Sequence, residues 1–130
     1  MNKYLPILFF FLVLNHVHSQ FSSGTNSWTT GSNFNLGTGT YSTGSGSIAF
    51  GYQNSAYSGG VGLGYSNYAS GTGSAAIGYS NYSSGYGATS LGYDNTAQSN
   101  YSTSIGYSNY VSSANGGVAI GYDNDARAYY

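Results

Sequence analysis

Set residues 1–19 aside and the chain keeps only four charged side chains: Asp94, Asp123, Asp125 and Arg127. Those nineteen residues read as an export signal. Lys3 forms a basic start, Leu5 to Leu14 an apolar run, and Val17-His18-Ser19 a polar end with a small residue at the cleavage position, between Ser19 and Gln20. The run is too short for a membrane helix, which needs about twenty apolar residues. Removing the signal also removes Met1, Lys3, Pro6, His16 and His18, so the mature chain has no His, Cys, Glu or Lys.

That inventory decides which chemistry is open. Serine, cysteine and zinc hydrolases need a base or ligand with a tuned pKa, usually His, Cys or Glu. A carboxylate pair could use only aspartates, and Asp94 sits about two repeats from Asp123, about 10 Å along a stack of strands, a separation that does not exclude a pair but that nothing else supports. Asp123-Asn124-Asp125 offers clustered oxygens of the kind calcium takes, but it occurs once and reads as a solvated turn. We expect no enzyme activity, no metal and no cofactor. A nucleic-acid partner is not expected either, because a single arginine cannot neutralise a phosphate backbone. Without cysteine, an exported chain has no disulfide to stabilise it. The length of 130 residues allows one domain.

What remains to act is a periodic surface. The glycines of the Gly-Tyr pairs, Gly51, Gly64, Gly78, Gly92, Gly106 and Gly121, are spaced by 13, 14, 14, 14 and 15 residues, and Gly37 adds a degenerate seventh copy. Just before each lies a bulky apolar residue: Leu36, Phe50, Leu63, Ile77, Leu91, Ile105 and Ile120. Two residues earlier stand Phe34, Ile48, Val61, Ala75, Thr89, Thr103 and Val118, and nearly all the residues between these columns are tiny. Alternation of this kind is the period of a strand, with one bulky face and one that lets backbone approach closely. A second short strand with small inward residues follows, through Ser42, Ala56, Ala69, Ser83, Ala97, Val111 and Ala126 and again two residues later. Between the strands an asparagine column, Asn54 to Asn124, marks the chain reversal, because asparagine tolerates left-handed backbone.

Two strands and two turns per copy predict an all-β parallel solenoid of about seven coils of 13–15 residues. One coil cannot stand alone: ordering fourteen residues costs on the order of 20 kcal/mol, against about 3–6 kcal/mol from burying two apolar side chains. The bulky face needs a further partner, which self-association would supply.

These columns resemble the head repeats of YadA-like trimeric autotransporter adhesins, whose pattern is roughly Ser-x-Ala-Ile-Gly, four variable residues, then Ala-x-Gly. Ser74-Ala75-Ala76-Ile77-Gly78 through Ser83 and Gly85 is a close copy, as is Val118-Ala119-Ile120-Gly121 through Ala126. The resemblance covers residues 34–130. It implies a left-handed parallel β-roll, a homotrimer, and adhesion to an extracellular protein or glycan surface by a secreted or cell-surface head. No heptad stalk or membrane-anchoring barrel follows in the sequence. The expected organisation is thus a signal peptide at 1–19, a Ser/Thr/Gly-rich leader or N-terminal cap bearing Trp28 at 20–33, and head repeats at 34–130.

The candidate binding surface is the column after each anchor glycine, Tyr52, Tyr65, Tyr79, Tyr93, Tyr107 and Tyr122, with a partial second row in Tyr68, Tyr82 and Tyr110. Tyrosine gives large amphipathic contact area at low entropy cost. Stacked tyrosines also reinforce pairing between coils, and the residues leave both roles open. Two other functions fit the same composition: a self-assembling Tyr/Gly-rich matrix protein, and an ice-binding solenoid with a tyrosine array. Asn81-Tyr82-Ser83 and Asn100-Tyr101-Ser102 match the N-glycosylation acceptor pattern.

Overall fold

A computed structural model describes residues 33–113 and 115–127. The expected signal peptide, Trp28 and the closing residues 128–130 lie outside the described residues. Fourteen strands follow one another: β1 (Phe34–Thr38), β2 (Tyr41–Thr43), β3 (Ile48–Tyr52), β4 (Ser55–Tyr57), β5 (Val61–Tyr65), β6 (Tyr68–Ala69), β7 (Ala75–Tyr79), β8 (Tyr82–Ser83), β9 (Thr89–Tyr93), β10 (Thr96–Ala97), β11 (Thr103–Tyr107), β12 (Tyr110–Ser112), β13 (Val118–Tyr122) and β14 (Asp125–Arg127). The odd strands form one seven-stranded parallel sheet and the even strands another, each in chain order. The chain is therefore the parallel solenoid of seven coils that the columns predict.

Small side chains let the two sheets close on each other. Ala49, Gly62, Ala76, Ser90, Ser104 and Ala119 face inward from the odd strands and Ser42, Ala56, Ala69, Ser83, Ala97 and Val111 from the even ones, all buried. Val111 is the bulkiest apolar side chain among the fully buried residues. The bulky column stays outside: Phe34, Ile48, Phe50, Leu91, Val118 and Ile120 are exposed, and Leu63, Ile77 and Ile105 are half-buried. Even strands are shorter than the alternation suggests, because the residues two beyond the inward column already belong to a turn.

The asparagines mark the reversal by a different mechanism from the one expected. The left-handed residue is the one before each: Gln53 (φ 52°), Ser66 (53°), Ser80 (52°), Asp94 (54°), Ser108 (52°) and Asp123 (52°). Asn54, Asn67, Asn81, Asn95 and Asn109 turn inward and are sealed from solvent. Asn81 donates Nδ2–H to Asn67 Oδ1 (3.0 Å), to the Ile77 carbonyl (2.9 Å) and to the Gly92 carbonyl (2.7 Å). Its own Oδ1 accepts from the backbone N–H and from Nδ2 of Asn95, both at 3.0 Å. The pattern repeats along the stack, so the reversal of each coil is tied to those above and below. In the first coil Thr40 stands at this position.

The anchor glycines are required by a close approach. Gly78 has φ +119°, and a Cβ there would run into the carbonyl oxygen of Gly92 in the next coil. Length differences between coils avoid this region. Ala56 to Val61 spans five residues, Ala69 to Ala75 six and Val111 to Val118 seven, whereas the turn carrying the anchors and asparagines never changes length. Variation is confined to the second turn, away from the asparagine ladder.

Candidate functional site

The first turn fixes the tyrosines. Parallel in-register pairing places Tyr52 opposite Tyr65, and so on through Tyr79, Tyr93, Tyr107 and Tyr122. Strand spacing is close to the separation at which aromatic rings stack, so in-register pairing becomes a ring ladder. Consecutive centroids lie 4.9, 4.8, 4.8, 5.0 and 5.0 Å apart, with ring planes within 14° of parallel. All six rings are exposed. Because each inner ring has neighbours on both faces, the ladder presents ring edges and a row of phenol hydroxyls to solvent.

The second row comes together in part. Tyr68 and Tyr82 stack at 5.4 Å, but Tyr110 is separated from them by Thr96 in the register. Tyr110 instead donates its hydroxyl to Gln98 Oε1 (2.8 Å), and the Arg127 guanidinium lies over its ring at 5.1 Å. The structure adds Tyr41 and Tyr57, which continue the row beyond Tyr68 in tilted contacts of 5.8 and 5.5 Å. Tyr41 shares a register column with Tyr68, a signal interrupted by Ser55; Tyr57 lies in a different column. Partial burial, then its hydrogen bond with Tyr68, holds the Tyr57 phenol above the ordinary tyrosine pKa.

The other polar candidates are placed apart. Asp94 and Asp123 occupy the same left-handed position two coils apart, with Ser108 between them. Asp125 pairs with Arg127 at 2.8 Å, both solvent-exposed. Of the two glycosylation patterns, Asn81 is sealed in the ladder, whereas Asn100 is exposed.

The repeat geometry agrees with a family comparison: the model of the YadA head domain repeat matches residues 36–57, 58–81 and 83–109. The chain belongs to the YadA head-repeat family. YadA head repeats mark an adhesin-like domain, surface-exposed in the autotransporters that carry it. Neither the curated proteins nor the solved structures compared with the chain gave a match.

Within this YadA head, one tyrosine can be used to separate stacking from recognition. Tyr79→Ser removes two ring contacts and is expected to cost about 1–2 kcal/mol, read as a lower urea midpoint. Tyr79→Phe keeps the ring and is expected to stay within about 0.5 kcal/mol of the native chain, so any adhesion lost with phenylalanine belongs to the hydroxyl.

Proposed function

We propose that the chain is the non-catalytic binding head of a secreted or cell-surface adhesin, exported by residues 1–19 and active as a homotrimer against an extracellular protein or glycan surface. The observation that carries this reading is the family match running in register with an exposed apolar face. Seven strands at the usual spacing make that face about 29 Å tall. None of the four charged side chains beyond residue 19 lies in the apolar columns, so nothing electrostatic opposes packing of identical copies. Trimer formation would cover the face, leaving the tyrosine rows and the turns for recognition.

Sedimentation equilibrium of the mature chain, with adhesion to surfaces coated with matrix extract, tests this. The expected species has three times the chain mass and retains the coated surface. The double substitution Leu63→Asp and Ile77→Asp should yield a monomer with an unchanged β circular-dichroism spectrum, because association would bury two unpaired carboxylates. A native chain that stays monomeric would refute the trimer. An open-ended series of larger species would instead favour the self-assembling matrix reading, which the same tyrosine and glycine composition supports.

A further inference from the structure

The second turn carries an aromatic pair that the repeat pattern does not explain. Its left-handed position is glycine in five coils, Gly46 (φ 77°), Gly59 (76°), Gly73 (66°), Gly87 (60°) and Gly116 (70°), but in one coil it is Tyr101 (φ 58°). A bulky side chain at such a backbone is an outlier maintained only when the surroundings hold it, and outliers of this kind cluster at binding sites. Tyr101 is 63% exposed, so core packing does not account for it. Its ring meets that of Tyr86, itself 53% exposed, edge-on at 5.4 Å and 74°.

The pair is held in place from the backbone. The Tyr101 N–H donates to the Tyr86 carbonyl (2.7 Å), and the Tyr86 N–H donates to Asn100 Oδ1 (3.0 Å). Further bonds from Gly87 N to the Thr72 carbonyl and from Gly116 N to the Asn100 carbonyl, both 2.9 Å, tie the neighbouring coils into the same edge. Thr72, Tyr86, Asn100 and Asn115 thus form an exposed column across four coils, with Tyr101 beside it. Among the described residues, none accepts a hydrogen bond from Asn100 Nδ2. The four charged side chains of the described residues lie elsewhere, at the first turn or on β14.

We infer that this edge is a binding subsite for a neutral oligosaccharide. In the edge-on contact the rings are not mutually covered as in the parallel ladder, which leaves aromatic face for the C–H surface of a pyranose. The hydroxyl and amide groups of Thr72, Asn100 and Asn115 match sugar hydroxyls. An uncharged edge gives no hold on sulfated or acidic chains. Four coils span about 14 Å, the reach of three to four sugar units. The site also lies on the edge where coil length varies, so it can differ from its neighbours without disturbing either ladder. The inference names a ligand class within the binding-head reading, but the site is contained in one chain and does not need the trimer.

The test is saturation-transfer NMR of the mature protein with cellotetraose, chitotetraose and maltotetraose. At least one is expected to bind, with a loss of tenfold or more in both Tyr101→Gly and Tyr86→Ser. Tyr101→Gly should also melt no lower than the native chain, since glycine relieves the backbone. Absence of binding by all three sugars, undiminished binding in Tyr101→Gly, or a lower melting point for that variant would each overturn the inference. Binding that persists in a Leu63→Asp, Ile77→Asp monomer would uphold the subsite independently of the trimer, whose own failure would be read from a native chain that stays monomeric.

Discussion

Replacing Asn81 with alanine is expected to lower unfolding free energy by about 3–5 kcal/mol, a large share of the roughly 5–15 kcal/mol typical of a domain. The side chain is buried, its two Nδ2 hydrogens are shared among three acceptors, and its Oδ1 accepts two hydrogen bonds. An ordinary internal hydrogen bond contributes about 1 kcal/mol net, but a group stranded away from water costs 1–3 kcal/mol. Alanine fills none of the space and strands polar groups in three coils at once. Urea titration followed by circular dichroism would measure the loss. Gln53→Ala, one position before an asparagine but at the surface, is the contrasting variant; it should change stability far less despite its left-handed backbone. Equal losses at the two positions would mean that the turn, not the buried amide ladder, carries the stability.

A larger effect is expected at the anchor. Gly78→Ala combines a backbone that L-residues avoid with a collision against the Gly92 carbonyl, an atom held by the next coil. Neither coil can retreat without breaking the ladders on both sides, so the penalty should reach about 4 kcal/mol or more, and soluble folded protein should be largely lost. Gly73→Ala provides the control. It too has positive φ, +66°, but nothing lies within 4 Å of the added methyl. Its cost should be limited to the left-handed backbone, about 1–2 kcal/mol, leaving a folded protein with a reduced melting temperature. Folded yield and melting temperature of the two variants separate backbone strain from close approach.

The two glycines also illustrate what the sequence makes legible. Alternation of bulky and tiny residues before each anchor is a purely local signal, and the sheet faces follow it: Ala76 in, Ile77 out. The tyrosine ladder follows once the period is known, because parallel pairing repeats every column in space. The asparagine column carries a less direct signal. A polar amide suggests a surface turn, and its burial depends on acceptors ten or more residues away, such as Gly92 for Asn81. The residues that bear the left-handed angle are glutamine, serine or aspartate, a mixture that gives no shared signal. Tyr57 gives no column signal because it does not share the column of Tyr68, and the aromatic pairing of Tyr101 gives none because the glycine column it interrupts lies outside both strands. The differences in coil length and the Tyr86–Tyr101 pair both fall at the second turn, outside the strand columns.

The hydrogen bonds of both sheets and of the asparagine ladder run from coil to coil, along the stack. A pull applied along that axis would therefore load them one layer at a time, as in peeling, instead of shearing many together. Each coil that yields would release up to about 45 Å of chain while the coils beyond it stayed intact. Under tension such a head would lengthen in steps and absorb work at each, holding its load through a sequence of small failures.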